Sequence, residues 1–89
     1  MSYQILLHPK TDKTLRSYEE QLQNRVKQKI RTLRDLPNSG KPLEGTKFFS
    51  LRVGDYRVIY EIKRDRFHVI ILFIGHRSVV YDNFLRWLS

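Results

Sequence analysis

Phosphate is the group this chain is best equipped to hold, and arginine is the residue suited to holding it. Arg52 and Arg57 stand symmetrically about the dipeptide Gly54-Asp55, and Arg77 follows the apolar run that ends at Ile74. A guanidinium group is planar, offers paired N–H donors that match two phosphate oxygens, and stays charged at any working pH. His76 and Tyr81 lie close to Arg77 in the sequence. An imidazole titrates near neutrality and is able to move a proton, while a phenol is able to stack on a base or donate a hydrogen bond. Taken alone, a single histidine and tyrosine at a strand end are more often structural residues satisfied by their neighbours. The other two histidines, His8 and His68, have no partners at metal-ligand spacing.

Other chemistries are set aside by what the sequence lacks. With no cysteine there is no disulfide framework, thiolate zinc site or thiol nucleophile. It also has no Gly-rich phosphate loop, no His-Glu metal motif, no serine in a nucleophile-elbow context and no close carboxylate pair. The expectation is phosphate chemistry with neither a metal nor a small-molecule cofactor.

The charge balance points to the same class of partner. Seventeen Lys and Arg stand against nine Asp and Glu, a formal charge of +8, and the pI is near 10.1. Such an excess fits a polyanion better than it fits solubility alone, which either sign and a smaller surplus would serve. Arg25, Lys27, Lys29, Arg31 and Arg34 follow one another with no acidic residue between Glu20 and Asp35. The usual meaning of such a run is a solvated helix face; here it is also a candidate footprint for structured RNA, to which Lys47 is added.

These side chains must be positioned by a small fold. Residues 1–89 suffice for one domain, and 40% apolar residues spread along the chain are enough for a core. Ser2 to His8 reads as a first strand, which Pro9 ends. From Thr11 to Leu36, Leu15, Tyr18, Leu22, Val26, Ile30 and Leu33 recur at helical spacing, and the polar stretch YEEQLQNR predicts a break between two helices near Glu20 to Asn24. Leu36 to Pro42, with two prolines and a glycine, reads as a loop. Three strands are expected after it, at Lys47 to Val53, Tyr56 to Ile62 and Phe67 to Ile74. Gly54-Asp55 carries the type II′ hairpin signal, and Lys63 to Arg66 forms the second turn. Asp82 is expected to cap a short terminal helix ending at Leu88. The order β-α-α-β-β-β predicts an α+β domain, an antiparallel sheet with two helices on one face and a short C-terminal helix.

A two-residue turn places Val53 opposite Tyr56 and Arg52 directly opposite Arg57, although like charges so paired are destabilising. Arg57 has the parity opposite to Tyr56, Val58, Tyr60 and Ile62, so the pair falls on the face the helices leave open. Continuing through the second turn pairs Ile62 with Phe67 and returns Ile74 to the level of Gly54-Asp55, bringing Arg77 to the same end of the sheet. The same geometry equally allows Arg52 and Arg57 to splay into solvent with their stems covering the sheet.

The string LRVGDYRVIYEI, the later IGHRSVVYDN and the lead-in PNSGKPLEG closely resemble the RelE/ParE superfamily of toxins, and the HR…Y tail its RelE branch. The resemblance spans essentially the whole chain. It implies the toxin of a type II toxin–antitoxin system, a cytoplasmic, ribosome-dependent, metal-independent endoribonuclease in which the 2′-hydroxyl of messenger RNA attacks the adjacent phosphate. Carried over by position, Arg57 holds the scissile phosphate, Arg77 acts on the leaving 5′-oxygen and Tyr81 stacks on the substrate base. Arg52 stands where the family commonly has lysine, and Ser50 where some relatives have a second basic residue. Arginine is a poor general base, which leaves His76 as the candidate proton acceptor. The resemblance also implies a cognate antitoxin, for which Phe84, Leu85, Trp87 and Leu88 offer a docking surface if they are not simply packed on the sheet. The core string is shared with gyrase-poisoning ParE toxins, so that activity and a degenerate RNA- or protein-binding role are the competing readings.

Overall fold

The computed structural model describes residues 2–89. Strand β1 (Gln4–Leu7) runs into helix α1 (Pro9–Ser17), whose first turn accommodates Pro9 and whose N-terminus is capped by His8, the ring Nδ1 accepting the Lys10 N–H at 3.2 Å. Helix α2 (Glu20–Thr32) follows at once. The break falls at Tyr18 and Glu19, both in extended conformation, ahead of the predicted Glu20 to Asn24. The Ser17 hydroxyl bonds to the Thr14 carbonyl at 2.6 Å, competing with the helix ladder where it ends.

The Pro- and Gly-rich segment is a loop with a short 3₁₀ turn at Pro37–Ser39, but it also contains a two-residue strand, β2 (Lys41–Pro42). Then come β3 (Phe48–Val53), β4 (Tyr56–Lys63), β5 (His68–His76) and helix α3 (Val80–Leu88). The last helix begins two residues before Asp82; Val79 occupies its N-cap without a side-chain hydrogen bond, and Asp82 lies in the first turn.

The five strands form one sheet in the order β1-β5-β4-β3-β2. Pairing from β2 to β5 is antiparallel, whereas β1 lies parallel to β5 at one edge because α1 and α2 carry the chain across before the other strands begin. Pro42 sits on the opposite edge, where a missing N–H costs no ladder bond.

The β3–β4 hairpin has the predicted register: Val53 faces Tyr56 and Arg52 faces Arg57. Gly54 has φ 59, while Asp55 keeps a negative φ, as a type II′ turn requires. The β4–β5 register differs from expectation by two residues, since Lys63 pairs with His68 and Ile62 with Val69 rather than Phe67. A 3₁₀ turn at Arg64–Arg66 and a left-handed Phe67 (φ 55) lengthen the connection. Further along, Tyr60 pairs with Ile71 but Ile59 with Phe73, so Leu72 is a bulged residue. Its carbonyl accepts the buried Thr11 hydroxyl of α1 at 2.6 Å.

The bulge changes which parity of β5 faces which layer. Before it Val69 and Ile71, and after it Ile74, join Leu15, Val26, Ile30, Leu33, Leu51, Val53, Val58 and Tyr60 in the core beneath α1 and α2. Each such side chain contributes about 1.5–3 kcal/mol when fully buried. The Tyr60 hydroxyl donates to the Pro37 carbonyl (2.7 Å) and accepts the Gly40 N–H (3.0 Å), pinning the loop to the sheet. On the other face, Val80 and Phe84 of α3 pack on Ile59 with Phe48, Leu72, Phe73 and Trp87 around them. The described residues include no helix long and apolar enough to cross a membrane.

Candidate phosphate-binding site

Hairpin alternation sends Ser50, Arg52, Arg57 and Ile59 to the face that carries α3. Helix α3 covers the Ile59 end, and the hairpin-tip end is left open around the arginines. Arg52 is exposed and Arg57 half-buried. The Arg52 Nε donates weakly to the Gly54 carbonyl at 3.4 Å, and among the described residues no carboxylate pairs with either guanidinium. Two unneutralised cations on facing strand positions repel each other in the free protein and attract an anion between them.

Gly75 lies directly opposite Arg57. A Cβ there would stand 3.2 Å from Val80 Cγ2, so the glycine is what lets the first turn of α3 close down beside the arginine. Sequence reading passed over this residue, yet a glycine inside a strand pattern is a recognised sign of close backbone approach. That approach places Tyr81 against β3, with its hydroxyl 3.1 Å from Ser50 Oγ.

Arg77 follows the last residue of β5. Its N–H donates to the Asp55 carbonyl at 2.8 Å, and its Nε lies 3.8 Å from the Asp55 carboxylate in an exposed pair. Such pairs are worth at most about 1 kcal/mol, so Arg77 remains available to a stronger anion. It is thus at the same end of the sheet as Arg52 and Arg57, held by the hairpin tip itself.

His76 is placed differently. It pairs with Tyr56 and packs edge-on to that ring (centroids 5.5 Å apart), on the side of the sheet where Tyr56 meets Tyr18. Burial, and then the neighbouring Tyr56, push the Tyr18 phenol above its ordinary range. The His76 Nδ1 accepts the Ser78 N–H at 3.2 Å and lies 2.8 Å from Ser78 Oγ, so the neutral ring carries its proton on Nε2. The structure brings Arg52 and Arg57 together on one face, sets Arg77 beside the hairpin tip through Asp55, seats Tyr81 on Ser50 two residues along from Arg52, and leaves His76 on the opposite face.

The remaining basic residues divide. Arg25, Lys27, Lys29, Arg31 and Arg34 are all exposed along and just beyond α2, on the opposite face of the sheet from the arginine pair. Arg25 reaches the hairpin tip, its guanidinium standing 3.1 Å from where a Cβ on Gly54 would be. Lys47 is tied to Glu61 at 3.4 Å, as Lys63 is at 3.0 Å, and lies over the Phe48 ring. Leu85 and Leu88 are exposed, whereas Phe84 is buried and Trp87 half-buried against the sheet.

One five-stranded sheet with helices on both faces and two facing arginines near a hairpin tip defines a small α+β domain. The chain belongs to the ParE toxin family of type II toxin–antitoxin systems (parDE), within the RelE/ParE superfamily, the family model matching residues 5–81. Among solved structures it is similar to the RelBE2 toxin–antitoxin complex of Mycobacterium tuberculosis, at 28% identity and a TM-score of 0.78 over 86% of this chain and 100% of that one. It is likewise similar to the RelE–RelB complex of Pyrococcus horikoshii OT3, at 28% identity and a TM-score of 0.76 over 88% of this chain and 98% of that one. The isolated E. coli RelE toxin shares the fold at 19% identity and a TM-score of 0.76, over 99% of this chain and 100% of that one. No curated protein sequence matches significantly.

Proposed function

We propose that this toxin is a ribosome-dependent endoribonuclease that cuts messenger RNA in the cytoplasm and is silenced by a cognate antitoxin. The observation that carries the reading is the facing pair Arg52 and Arg57, without a carboxylate partner among the described residues and with Arg77 at the same sheet end. A fold gains nothing from opposing two like charges, so the arrangement is explained by an anion that both hold.

In this reading Arg57, with Arg52 beside it, binds the non-bridging oxygens of the scissile phosphate and stabilises the charge that grows on them in the transition state. As the 2′-oxygen gives up its proton to a base or water and bonds to phosphorus, the bond to the 5′-oxygen breaks, leaving a 2′,3′-cyclic phosphate and a 5′-oxygen that takes a proton from water to become the 5′-hydroxyl. Arg77 steadies the departing oxygen as a fixed cation, since guanidinium does not give up its proton. Tyr81 offers its ring to an unstacked base. His76 takes the 2′-hydroxyl proton only if the substrate folds over the strand end to its face; full activity in His76→Gln would remove it from the scheme. Arg25, Lys27, Lys29, Arg31 and Arg34 bind further phosphates of structured RNA, with Lys47 at the margin.

The test is purified protein added to programmed ribosomes. Cleavage at the A site, reduced roughly 100-fold or more by Arg57→Ala, supports the reading; an intact message under conditions where an active relative cuts it refutes it. A gyrase-poisoning activity is the second reading, favoured by the ParE description of the matching family. Trapped DNA breaks in a supercoiling assay belong to that reading alone.

A further inference from the structure

We propose that Ser50 is a positioning residue for the RNA site: its hydroxyl tethers the Tyr81 phenol and so fixes the plane that Tyr81 presents to a substrate base. The proposal rests on the endoribonuclease reading above. Ser50 is a polar residue only 3% exposed, and Tyr81 is 38% exposed, so the bond between them has one buried and one open end. Their hydroxyls are 3.1 Å apart. Ser50 lies two residues before Arg52 on the same face of β3, which puts the anchoring point about 7 Å from the arginine position.

Tyr81 needs such an anchor because its own element supplies little. It lies in the first turn of a nine-residue helix whose N-cap, Val79, makes no side-chain hydrogen bond. Packing of Val80 over Gly75 holds the helix backbone, and the Ser50 hydroxyl is the hydrogen-bond partner of the phenol. A hydroxyl beneath the phenol holds the ring in place, so it does not have to be ordered between the docked complex and the transition state. Ser50 is also too enclosed for a longer side chain to stand there without displacing the ring. In this chain the position therefore serves orientation, not charge.

Four proteins test this on programmed ribosomes under single-turnover conditions: the unaltered chain, Ser50→Ala, Tyr81→Phe and the double variant. Each single change is expected to slow cleavage by a similar factor of roughly three to ten. The double variant is expected to be no slower than the slower single, and the half-saturating ribosome concentration to stay unchanged in all four. Thermal unfolding of Ser50→Ala should stay within about 4 °C of the unaltered chain. Ser50→Ala cleaving at full rate, or single effects that multiply in the double variant, overturns the proposal and leaves the endoribonuclease reading standing. An unaltered chain that leaves the message intact overturns both.

Discussion

Replacing Arg57 by glutamine should stabilise the fold while disabling the protein, and the size of the gain follows from the hairpin. Arg52 and Arg57 face each other across β3 and β4, with no acidic partner among the described residues. Two unit charges about 6 Å apart repel by about 0.7 kcal/mol in water and about 3 kcal/mol at an effective dielectric of 20. Arg52 is exposed and Arg57 half-buried, so the lower figure governs and about 0.5–1 kcal/mol is expected. Glutamine keeps part of the stem that covers the sheet, so little packing is lost. In a domain of this size 1 kcal/mol moves the midpoint by roughly 4–8 °C, so thermal unfolding at low ionic strength should show Arg57→Gln melting about 3–6 °C higher. Near 1 M salt, where the screening length is about 3 Å, the gain should vanish. Arg52→Gln should give a similar rise, and the double variant no more than either. An unchanged or lowered midpoint, or a gain indifferent to salt, would falsify the claim that the two charges are held against each other, and with it the reason for assigning them an anion.

Two further outcomes concern stability. Thr11→Val keeps the shape of the side chain but removes the hydroxyl that donates to the Leu72 carbonyl; the urea midpoint should fall by the equivalent of about 1–3 kcal/mol, whereas Thr11→Ser should recover most of it. Burial raises the Tyr60 phenol above its ordinary value of 10.0, partly offset by the Gly40 N–H, and Tyr18 is raised as well. Above pH 10 the unfolded chain therefore releases phenolic protons that the folded chain retains, so stability conferred below that pH declines as pH rises further. Urea midpoints between pH 9 and 11 should show the decline, and Tyr60→Phe, measured against its own value at pH 9, should lessen it.

What the sequence made legible is what local geometry fixes. A two-residue turn leaves one register open, so the facing of Arg52 and Arg57 follows from Gly54-Asp55 alone. The apolar stripe of Val26, Ile30 and Leu33 likewise sufficed to place α2 on the core. The β4–β5 pairing was not legible, because nothing in Lys63 to Phe67 announces a non-glycine residue in left-handed conformation, and nothing in an all-apolar run marks Leu72 as extra. The start of α3 was missed because packing of Val80 on Gly75, not a capping side chain, sets it. The parallel place of β1 is likewise a long-range matter, decided by where two helices deliver the chain. For the candidate site, the arginines and Tyr81 could be gathered from spacing and resemblance, whereas the separation of His76 from them depends on a parity that only the folded strand reveals.

That extra residue in β5 also bears on how such chains are compared with one another. Because Leu72 shifts the alternation by one, a strand of the same length that ran on without the bulge would present the same IGHR letters with their faces exchanged: the histidine on the face of Arg57, the isoleucine out of the α1/α2 core. Two toxins can therefore align perfectly across this motif and still present different side chains on the open face. Whether the strand bulges before the motif thus decides as much about its side chains as a substitution within it.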